Sequence, residues 1–219
     1  GRALINSIFL IIKKSKLMGS ERLIVFAKAP VEGEVKTRLI PELGARGALR
    51  AHIQMVEDVL VKAKTSGIES TLWLSERNDL GKRWGSRYSI PVRVQQGDDL
   101  GSRMLDAISR TLTNQHDKVV LIGSDCPSLE IEDILSAFLS LEENDIVLCP
   151  SEDGGYGLVG MKQAHPEIFS DITWSSPIVT KQTLSKIEGA ALSVGLGRTI
   201  WDVDNFEDWQ RYQRWRELR

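Results

Sequence analysis

Apolar and polar positions follow two different periods along the chain. From Arg22 onward, short aliphatic runs typical of buried strands are separated by stretches in which apolar residues recur every three or four positions. The short runs predict strands over 22–29, 70–75, 91–96, 118–123, 145–150, 156–161 and 190–195. The helical spacing predicts helices over 45–65, 100–112, 131–138 and 176–188, and a last helix from Asn205. The polar, glycine-punctuated segment between 75 and 91 is predicted to be a loop.

This alternation predicts one three-layer α/β/α sandwich with a mostly parallel mixed sheet, a Rossmann-like α/β fold. The chain has 219 residues, which suits one such domain, and we place it at residues 21–219. The strands over 145–150 and 156–161 are joined by a Gly-Gly turn that is too short for a helical crossover. We therefore expect an antiparallel step at one edge of the sheet.

Residues 1–20 contain an apolar run, ALINSIFLII, followed by the basic segment KKSK. The run has about half of the roughly 20 residues that a membrane-spanning helix needs. Its basic residues follow the apolar part, whereas a signal peptide places them first. We interpret residues 1–20 as an upstream extension or an expression remnant and expect no stable membrane insertion, with an interfacial anchor as the alternative.

Composition excludes some partners and favours one compartment. The 28 Lys and Arg residues nearly balance the 30 Asp and Glu residues, for a net charge of −2, so nucleic-acid binding is not expected. Two cysteines, Cys126 and Cys149, do not make a disulfide framework in a chain of this length, which favours a reducing, cytoplasmic setting. His52, His116 and His165 are scattered without metal-ligand spacing, and surface or loop roles are expected for them.

The first candidate site is the segment FAKAPVEGEVKTRL, residues 26–39, where a strand runs into a loop. Backbone amides around Gly33 and the side chains of Lys28, Lys36 and Arg38 could cradle a di- or triphosphate. The spacing is not that of a Walker A motif or of the Gly-x-Gly-x-x-Gly found in dinucleotide-binding proteins. A solvated surface loop is the alternative interpretation.

Asp125 stands where a buried strand ends, in the segment VVLIGSDCPSL. Open α/β sheets bind their ligands at the carboxyl ends of the strands, and a carboxylate there suits a hard cation such as Mg²⁺ or Mn²⁺. The alternative is that Asp125 caps the next helix, a role for which Ser128 competes.

Two further acidic segments could complete such a site. Asp153 precedes two glycines in PSEDGGYGLVG, where a ligand can approach the backbone closely, and an ordinary Asp-Gly hairpin turn is the alternative. Asp202 and Asp204 alternate in WDVDNFEDW just before the last helix, so both carboxylates would point to one side of an extended stretch. A polar helix entry capped by Asn205 is the alternative there.

Taken in order, six segments resemble one known family. They are FAKAPVEGEVKTRL, QQGDDLGSRM, LIGSDCPSL, PSEDGGYGLVG, ITWSSPIVTKQTL and DVDNFEDW, and the resemblance covers residues 22–215. The sequence is similar to the radical-SAM/selenodomain-associated transferases, small bacterial glycosyltransferase-like proteins of which some are linked to arsenosugar biosynthesis. The resemblance implies the nucleotide-diphospho-sugar transferase fold (GT-A-like), which molybdenum-cofactor and phospholactate guanylyltransferases share.

The resemblance also implies a division of the site. Asp125 would bind the metal ion, with a second ligand from Asp153 or from the DVD stretch, where Asp204 is the candidate. The residues expected beside the nucleotide and its phosphates are Lys28, Gly33, Lys36, Arg38, Gly97, Asp98 and Arg103. The residues expected to face the acceptor are Gly154, Gly155, Tyr156, Trp174 and Ser175.

The resulting prediction is a metal-dependent glycosyltransferase that uses a nucleotide-diphospho-sugar donor, with Mg²⁺ or Mn²⁺, and an unknown small acceptor. Asp153 is the candidate base if the reaction inverts configuration. The first loop lacks the glycine-rich fingerprint of the guanylyltransferases, which favours sugar transfer. Two alternatives stay open: nucleotidyl transfer from a nucleoside triphosphate to a phosphorylated acceptor, and a non-catalytic nucleotide-binding module.

Overall fold

A computed structural model describes residues 20–113 and 117–218 of the chain. Its strands are β1 (Glu21–Ala27), β2 (Glu69–Leu74), β3 (Val92–Val94), β4 (Lys118–Gly123), β5 (Ile146–Pro150), β6 (Tyr156–Met161) and β7 (Val194–Leu196). Its α-helices are α1 (Ile40–Thr65), α2 (Asp79–Tyr88), α3 (Leu100–Thr111), α4 (Ile131–Ser140), α5 (Val179–Gly189) and α6 (Phe206–Glu217). Short 3₁₀ turns lie at Thr37–Leu39 and Pro166–Ile168.

The strands form one mixed sheet in the order β3-β2-β1-β4-β6-β5-β7. Pairing is parallel from β3 to β4 and between β5 and β7, and β6 runs antiparallel to both of its neighbours. The predicted mostly parallel mixed sheet and the antiparallel step between β5 and β6 are therefore confirmed. The predicted place of that step is wrong, because β6 lies inside the sheet. At Gly160 a side chain would meet Val147 and Val120 within 3.0 Å, so β6 fits closely between two strands.

Helices cover both faces of the sheet, which confirms the predicted three layers. One core contains Leu23 and Val25 of β1 together with apolar residues of α1, α2 and α4. The other contains Ile24 and Phe26 of β1 together with apolar residues of α3 and α5. Successive side chains of a strand point to opposite faces of the sheet, and both faces are covered by helices. A buried strand must therefore be apolar at nearly every position, as β1 is. The last helix, α6, packs through Tyr212 against α1.

One helix was not predicted. Residues 79–88 form α2, where we expected a loop between two strands. The helix is polar on most of its surface, and Trp84 is its one large buried side chain, with Leu80 and Tyr88 partly buried against the same core. Three apolar contacts in a polar, glycine-containing segment are easily taken for part of a loop. It begins at Asn78, whose side chain accepts a hydrogen bond from the Gly81 N–H at 3.1 Å. The Asn cap and the four-residue spacing of those three apolar side chains were the signals available in the sequence.

Element ends differ from the predicted ones by a few residues. Helix α1 starts before the predicted residue 45 because it continues across a kink at Gly44, where φ is +68°. Strand β7 starts later than predicted because Ala191, with φ of +55°, turns the chain first. These shifts leave the predicted order of elements unchanged.

The predicted extension, residues 1–20, lies outside the described residues except for Ser20. The backbone N–H of Ser20 donates to the Asp117 carboxylate at 3.2 Å, so this residue is already joined to the domain. Among the helices of the described residues, none is long and apolar enough to cross a membrane.

Candidate functional site

A cleft of about 1060 Å³ opens at the carboxyl ends of the parallel strands. It is formed by the loop after β1, the ends of β2 to β4, the turn between β5 and β6, and the segments before α5 and α6. The predicted site residues that line it are Lys28, Lys36, Arg38, Arg103, Asp125, Asp153, Gly155, Tyr156, Trp174, Ser175 and Asp204. Gly33, Gly97, Asp98 and Gly154 belong to the same loops but do not line the cleft.

Lys36 and Asp125 form an ion pair at the floor of the cleft. Lys36 has φ of +47°, and its ammonium lies 3.0 Å from Asp125 Oδ1 and donates to the Val203 carbonyl at 2.6 Å. The lysine side chain is 9% exposed, whereas the carboxylate is 54% exposed and faces the cleft. The pair thus holds Asp125 in place and ties the first loop to the segment before α6.

The same neighbours set the charge of Asp125. Desolvation raises its pKa, but the charge and hydrogen bond of Lys36, with smaller contributions from His52 and Lys28, together outweigh desolvation, so the pKa of Asp125 lies below its usual range. Asp125 does not cap the following helix, because α4 begins with Glu130 as its cap. Its carboxylate is therefore ionised at neutral pH and available to a ligand.

His52 is a part of the site that sequence reasoning missed. We expected a surface or loop role, but the side chain projects from α1, is 2% exposed and lines the cleft. Its Nε2 lies 2.9 Å from the Lys28 carbonyl, which accepts a hydrogen bond from the neutral ring. Burial lowers the pKa of His52, an effect that the nearby Asp125 only partly offsets. His52 therefore fixes the backbone of the first loop.

Asp153 lies in a tight turn that is docked against the start of α5. The Gly155 N–H donates to Asp153 Oδ1 at 2.9 Å, which orients the carboxylate. Gly154 has φ of +90°, and a Cβ there would lie 2.0 Å from the Pro177 carbonyl oxygen, so the turn requires glycine. The Thr180 N–H donates to the Gly154 carbonyl at 2.9 Å. The segment is therefore the tight Asp-Gly turn that was the alternative interpretation, and this turn places Asp153 in the lining of the cleft.

The two acids of the DVD stretch have different surroundings. The Asp204 carboxylate accepts a hydrogen bond from Arg38. Asp202 is half-buried, and both desolvation and the neighbouring charge of Asp153 raise its pKa. Asp202 thus shares the electrostatic environment of Asp153 and Asp125, although sequence reasoning chose Asp204 as the metal ligand. The alternating D-V-D pattern in the sequence indicated both Asp202 and Asp204 as candidate site residues.

The donor set suits a divalent cation held jointly by protein and ligand. Among the described residues, no group of three His, Cys, Asp or Glu side chains forms a complete cation site. A Mg²⁺ site commonly needs fewer protein ligands than that, because one or two carboxylates and the phosphates of a substrate suffice. Asp125, Asp153 and Asp202 interact electrostatically, and the ammonium groups of Lys36 and Lys28 act on Asp125, so the carboxylates outnumber these cations by one. The residues therefore fit Mg²⁺ or Mn²⁺.

The segment QQGDDLGSRM forms a turn and the first turn of α3. Asp99 caps the helix by accepting from the Ser102 N–H at 2.7 Å. Arg103 Nε donates to the Gly97 carbonyl at 3.0 Å, and Gly97 has φ of +140°. The neighbouring Asp98 is exposed. Arg103 is thereby oriented along the wall of the cleft.

The same helix meets the predicted acceptor loop through Trp174. A Cβ on Gly101 would lie 2.7 Å from Trp174 Cζ2 and 2.9 Å from the Phe169 carbonyl oxygen, so the indole packs directly on the helix backbone. The rings of Trp174 and Tyr156 stand edge to face with centroids 6.4 Å apart. Burial also raises the pKa of Tyr156, whose hydroxyl stays protonated. This aromatic pair joins the two halves of the cleft, and the adjacent Ser175 takes a positive φ of +61°.

Gly101→Ala should destabilise the protein by about 1–3 kcal/mol, because its methyl group has no space beside Trp174. The matched control is Gly189→Ala, where no atom lies within 4 Å of the added Cβ and φ is not positive. That change should be neutral or slightly stabilising, since alanine favours a helix. Urea unfolding monitored by tryptophan fluorescence measures both. Equal effects of the two substitutions would contradict the close packing.

The fold is the Rossmann-like fold of the nucleotide-diphospho-sugar transferases and nucleotidyltransferases. A crystal structure of a candidate nucleotide-diphospho-sugar transferase from Desulfovibrio desulfuricans G20 is 30% identical and superposes with a TM-score of 0.79, covering 86% of this chain and 84% of that one. The chain belongs to the family described as "uncharacterized protein conserved in bacteria" (DUF2064), whose model matches residues 59–176. No protein of curated function matches the sequence.

More distant solved structures share the fold alone. The 4-diphosphocytidyl-2C-methyl-D-erythritol synthase of Anaerococcus prevotii DSM 20548 is 13% identical, with a TM-score of 0.64, and covers 93% of this chain and 99% of that one. The inositol-1-phosphate CTP transferase of T. maritima is 14% identical, with a TM-score of 0.57, and covers 87% and 91%. Together these structures confirm the predicted fold class.

Proposed function

We propose that the protein is a metal-dependent glycosyltransferase that uses a nucleotide-diphospho-sugar donor. The observation that carries this proposal is the division of charge in the cleft. The charged side chains of the wall formed by the loop after β1 are three cations and one carboxylate, Glu34. Those at the end of β4 and in the wall formed by the turn after β5 and the segment before α6 are all carboxylates. A diphosphate fits the first wall, and a divalent cation together with a proton-accepting group fits the second.

The first loop would bind the donor diphosphate. The Lys28 ammonium has no hydrogen-bond or ion-pair partner among residues 20–113 and 117–218, and its backbone is fixed by His52. Arg38 pairs with Asp204 at an exposed position, so a phosphate can compete for its guanidinium. Lys36 has a different role, because its ammonium is already engaged by Asp125 and the Val203 carbonyl.

Asp125, with Asp202 or Asp153, would hold Mg²⁺ or Mn²⁺. When bound, the ion supplies Lewis-acid stabilisation of the negative charge that develops on the leaving diphosphate. Asp153 is the candidate base for the acceptor hydroxyl. Its carboxylate is oriented by the Gly155 N–H and has no described cation in contact, so one oxygen is free to accept a proton. The aromatic pair Tyr156 and Trp174 would border the acceptor.

Two likenesses support sugar transfer over the other reactions. The six segments resemble the radical-SAM/selenodomain-associated transferases, and the solved structure at 30% identity is a candidate nucleotide-diphospho-sugar transferase. The link to arsenosugar biosynthesis and a cytoplasmic location belong to the same prediction. Nucleotidyl transfer is the second candidate reaction, and it needs the same phosphate-binding loop and the same cation.

A ligand panel tests the proposal. Nucleoside diphosphate sugars, nucleoside diphosphates and nucleoside triphosphates are compared by thermal unfolding, each with and without Mn²⁺. A ligand at 100 times its Kd should stabilise the protein by about 2.7 kcal/mol. We expect Mn²⁺-dependent stabilisation by a diphosphate sugar above that given by the triphosphates. Stabilisation by one triphosphate alone would favour nucleotidyl transfer, and no stabilisation by any compound would favour a different, non-nucleotide role.

A further inference from the structure

The ends of β2 and β3 present polar groups that the proposed chemistry does not use. These strands lie on the side of β1 away from β4, and therefore away from Asp125. Neighbouring strands are about 4.8 Å apart, so the end of β3 lies about 10 Å from the phosphate loop after β1, a distance that a ribose can span. Glu76 and Gln95 line the cleft there.

Gln95 is held rigidly by the ends of two strands. Its backbone N–H donates to the Leu74 carbonyl at 2.9 Å, which extends the β2–β3 ladder by one residue. Its side-chain Nε2 donates to the Trp73 carbonyl at 2.9 Å and to the Ala27 carbonyl at 3.3 Å. Both amide hydrogens are therefore used. A flipped amide would place Oε1 against two carbonyl oxygens, so the contacts fix the orientation of the group.

The side-chain carbonyl of Gln95 is left as a fixed acceptor. No donor in residues 20–113 or 117–218 bonds to its Oε1, and the residue lines the cleft. Glu76 adds a second acceptor nearby on the adjoining strand end. It is exposed, and within the same described ranges its carboxylate has no cation or hydrogen-bond donor as partner. This wall of the cleft is thus rich in acceptors.

We propose that Gln95 and Glu76 read the base of the nucleotide and select guanine, an inference that rests on the proposed function. Guanine differs from the other common bases in presenting a ring N–H and an exocyclic amino group side by side. Uracil and thymine flank one N–H with two carbonyls, and cytosine and adenine place a ring acceptor next to the amino group. A pair of acceptors would therefore face an acceptor on each of those bases, and acceptor against acceptor leaves both without a hydrogen-bond donor.

The test is titration calorimetry with GDP, UDP, CDP and ADP in the presence of Mn²⁺. We expect the wild-type protein to bind GDP at least about tenfold more tightly than the others, since hydrogen bonds to a charged acceptor are the strong ones. Glu76→Gln should weaken GDP binding by about tenfold and change UDP binding little. Glu143→Gln, an exposed position outside the cleft, is the matched control and should change neither.

A second variant examines the fixed carbonyl itself. Gln95→Met keeps the length of the side chain and should remove the preference for GDP, and its unfolding curve shows whether the lost contacts to Trp73 and Ala27 disturb the fold. Binding of all four diphosphates with equal Kd, or a preference for UDP or CDP, overturns this assignment and leaves the proposed function standing. No binding of any of them overturns the proposed function and this assignment with it.

Discussion

Asp125→Asn is expected to remove the metal-dependent part of nucleotide binding and to lower turnover by about 10³-fold, the equivalent of several kcal/mol of lost charge stabilisation. The amide has the size of the carboxylate but no charge, so it cannot balance a divalent cation at the end of β4. Calorimetric titration of the nucleotide with and without Mn²⁺ gives the result directly. In the variant, the two dissociation constants should be equal.

The control for that experiment is Asp79→Asn, which removes the same charge at an exposed position of α2 outside the cleft. It should keep the full Mn²⁺ dependence. Asp125→Asn should also lower stability, because the 9% exposed Lys36 loses its carboxylate partner. Since the carboxylate itself is half exposed, the expected cost is about 1 kcal/mol. Unchanged Mn²⁺ dependence in Asp125→Asn would exclude this residue as the metal-binding acid.

The order of strands and helices could be predicted from the sequence because both faces of most strands are buried. Ile24 and Val25 are each 0% exposed and belong to opposite cores, so β1 must read as one apolar run. Helix α2 was not predicted in this way, because it is mostly polar and contacts the core only through Trp84 and the partly buried Leu80 and Tyr88. The position of β6 inside the sheet depends on strand pairing, which local periodicity does not contain.

The site was predictable to the extent that it follows from strand ends. The carboxyl ends of parallel strands meet at one edge of a sheet, so Lys28 after β1 and Asp125 after β4 had to lie near each other. The contacts of individual side chains could not be predicted. The Lys36–Asp125 pair, the His52–Lys28 hydrogen bond and the carbonyl contacts of Gln95 join segments that are distant in sequence. They depend on how the helices and loops pack, and polar residues of this kind are common on any surface.

Asp153→Asn is expected to separate binding from chemistry. If Asp153 accepts the proton of the attacking hydroxyl, the substitution should lower kcat by about 10²–10⁴-fold and leave the donor Kd nearly unchanged. The fold should tolerate it, because the side-chain oxygen of asparagine can still accept the Gly155 N–H that now bonds Asp153 Oδ1. Slow hydrolysis of the bound sugar donor, with water as the acceptor, measures kcat before the natural acceptor is identified.

Comparison of Asp153→Asn with Asp202→Asn shows whether Asp153 acts as the base or as a metal ligand. Desolvation and the charge of Asp153 raise the pKa of Asp202, and neutralising Asp202 removes that repulsion without removing the candidate base. If Asp153 is the base, Asp153→Asn loses the acidic limb of the pH–rate profile, and Asp202→Asn keeps it. If Asp153 instead binds the cation, Asp153→Asn must weaken Mn²⁺-dependent donor binding as Asp125→Asn does. A kcat within a few-fold of the wild type for Asp153→Asn would exclude it as the base, and unchanged Mn²⁺-dependent donor binding in the same variant would exclude it as a metal ligand.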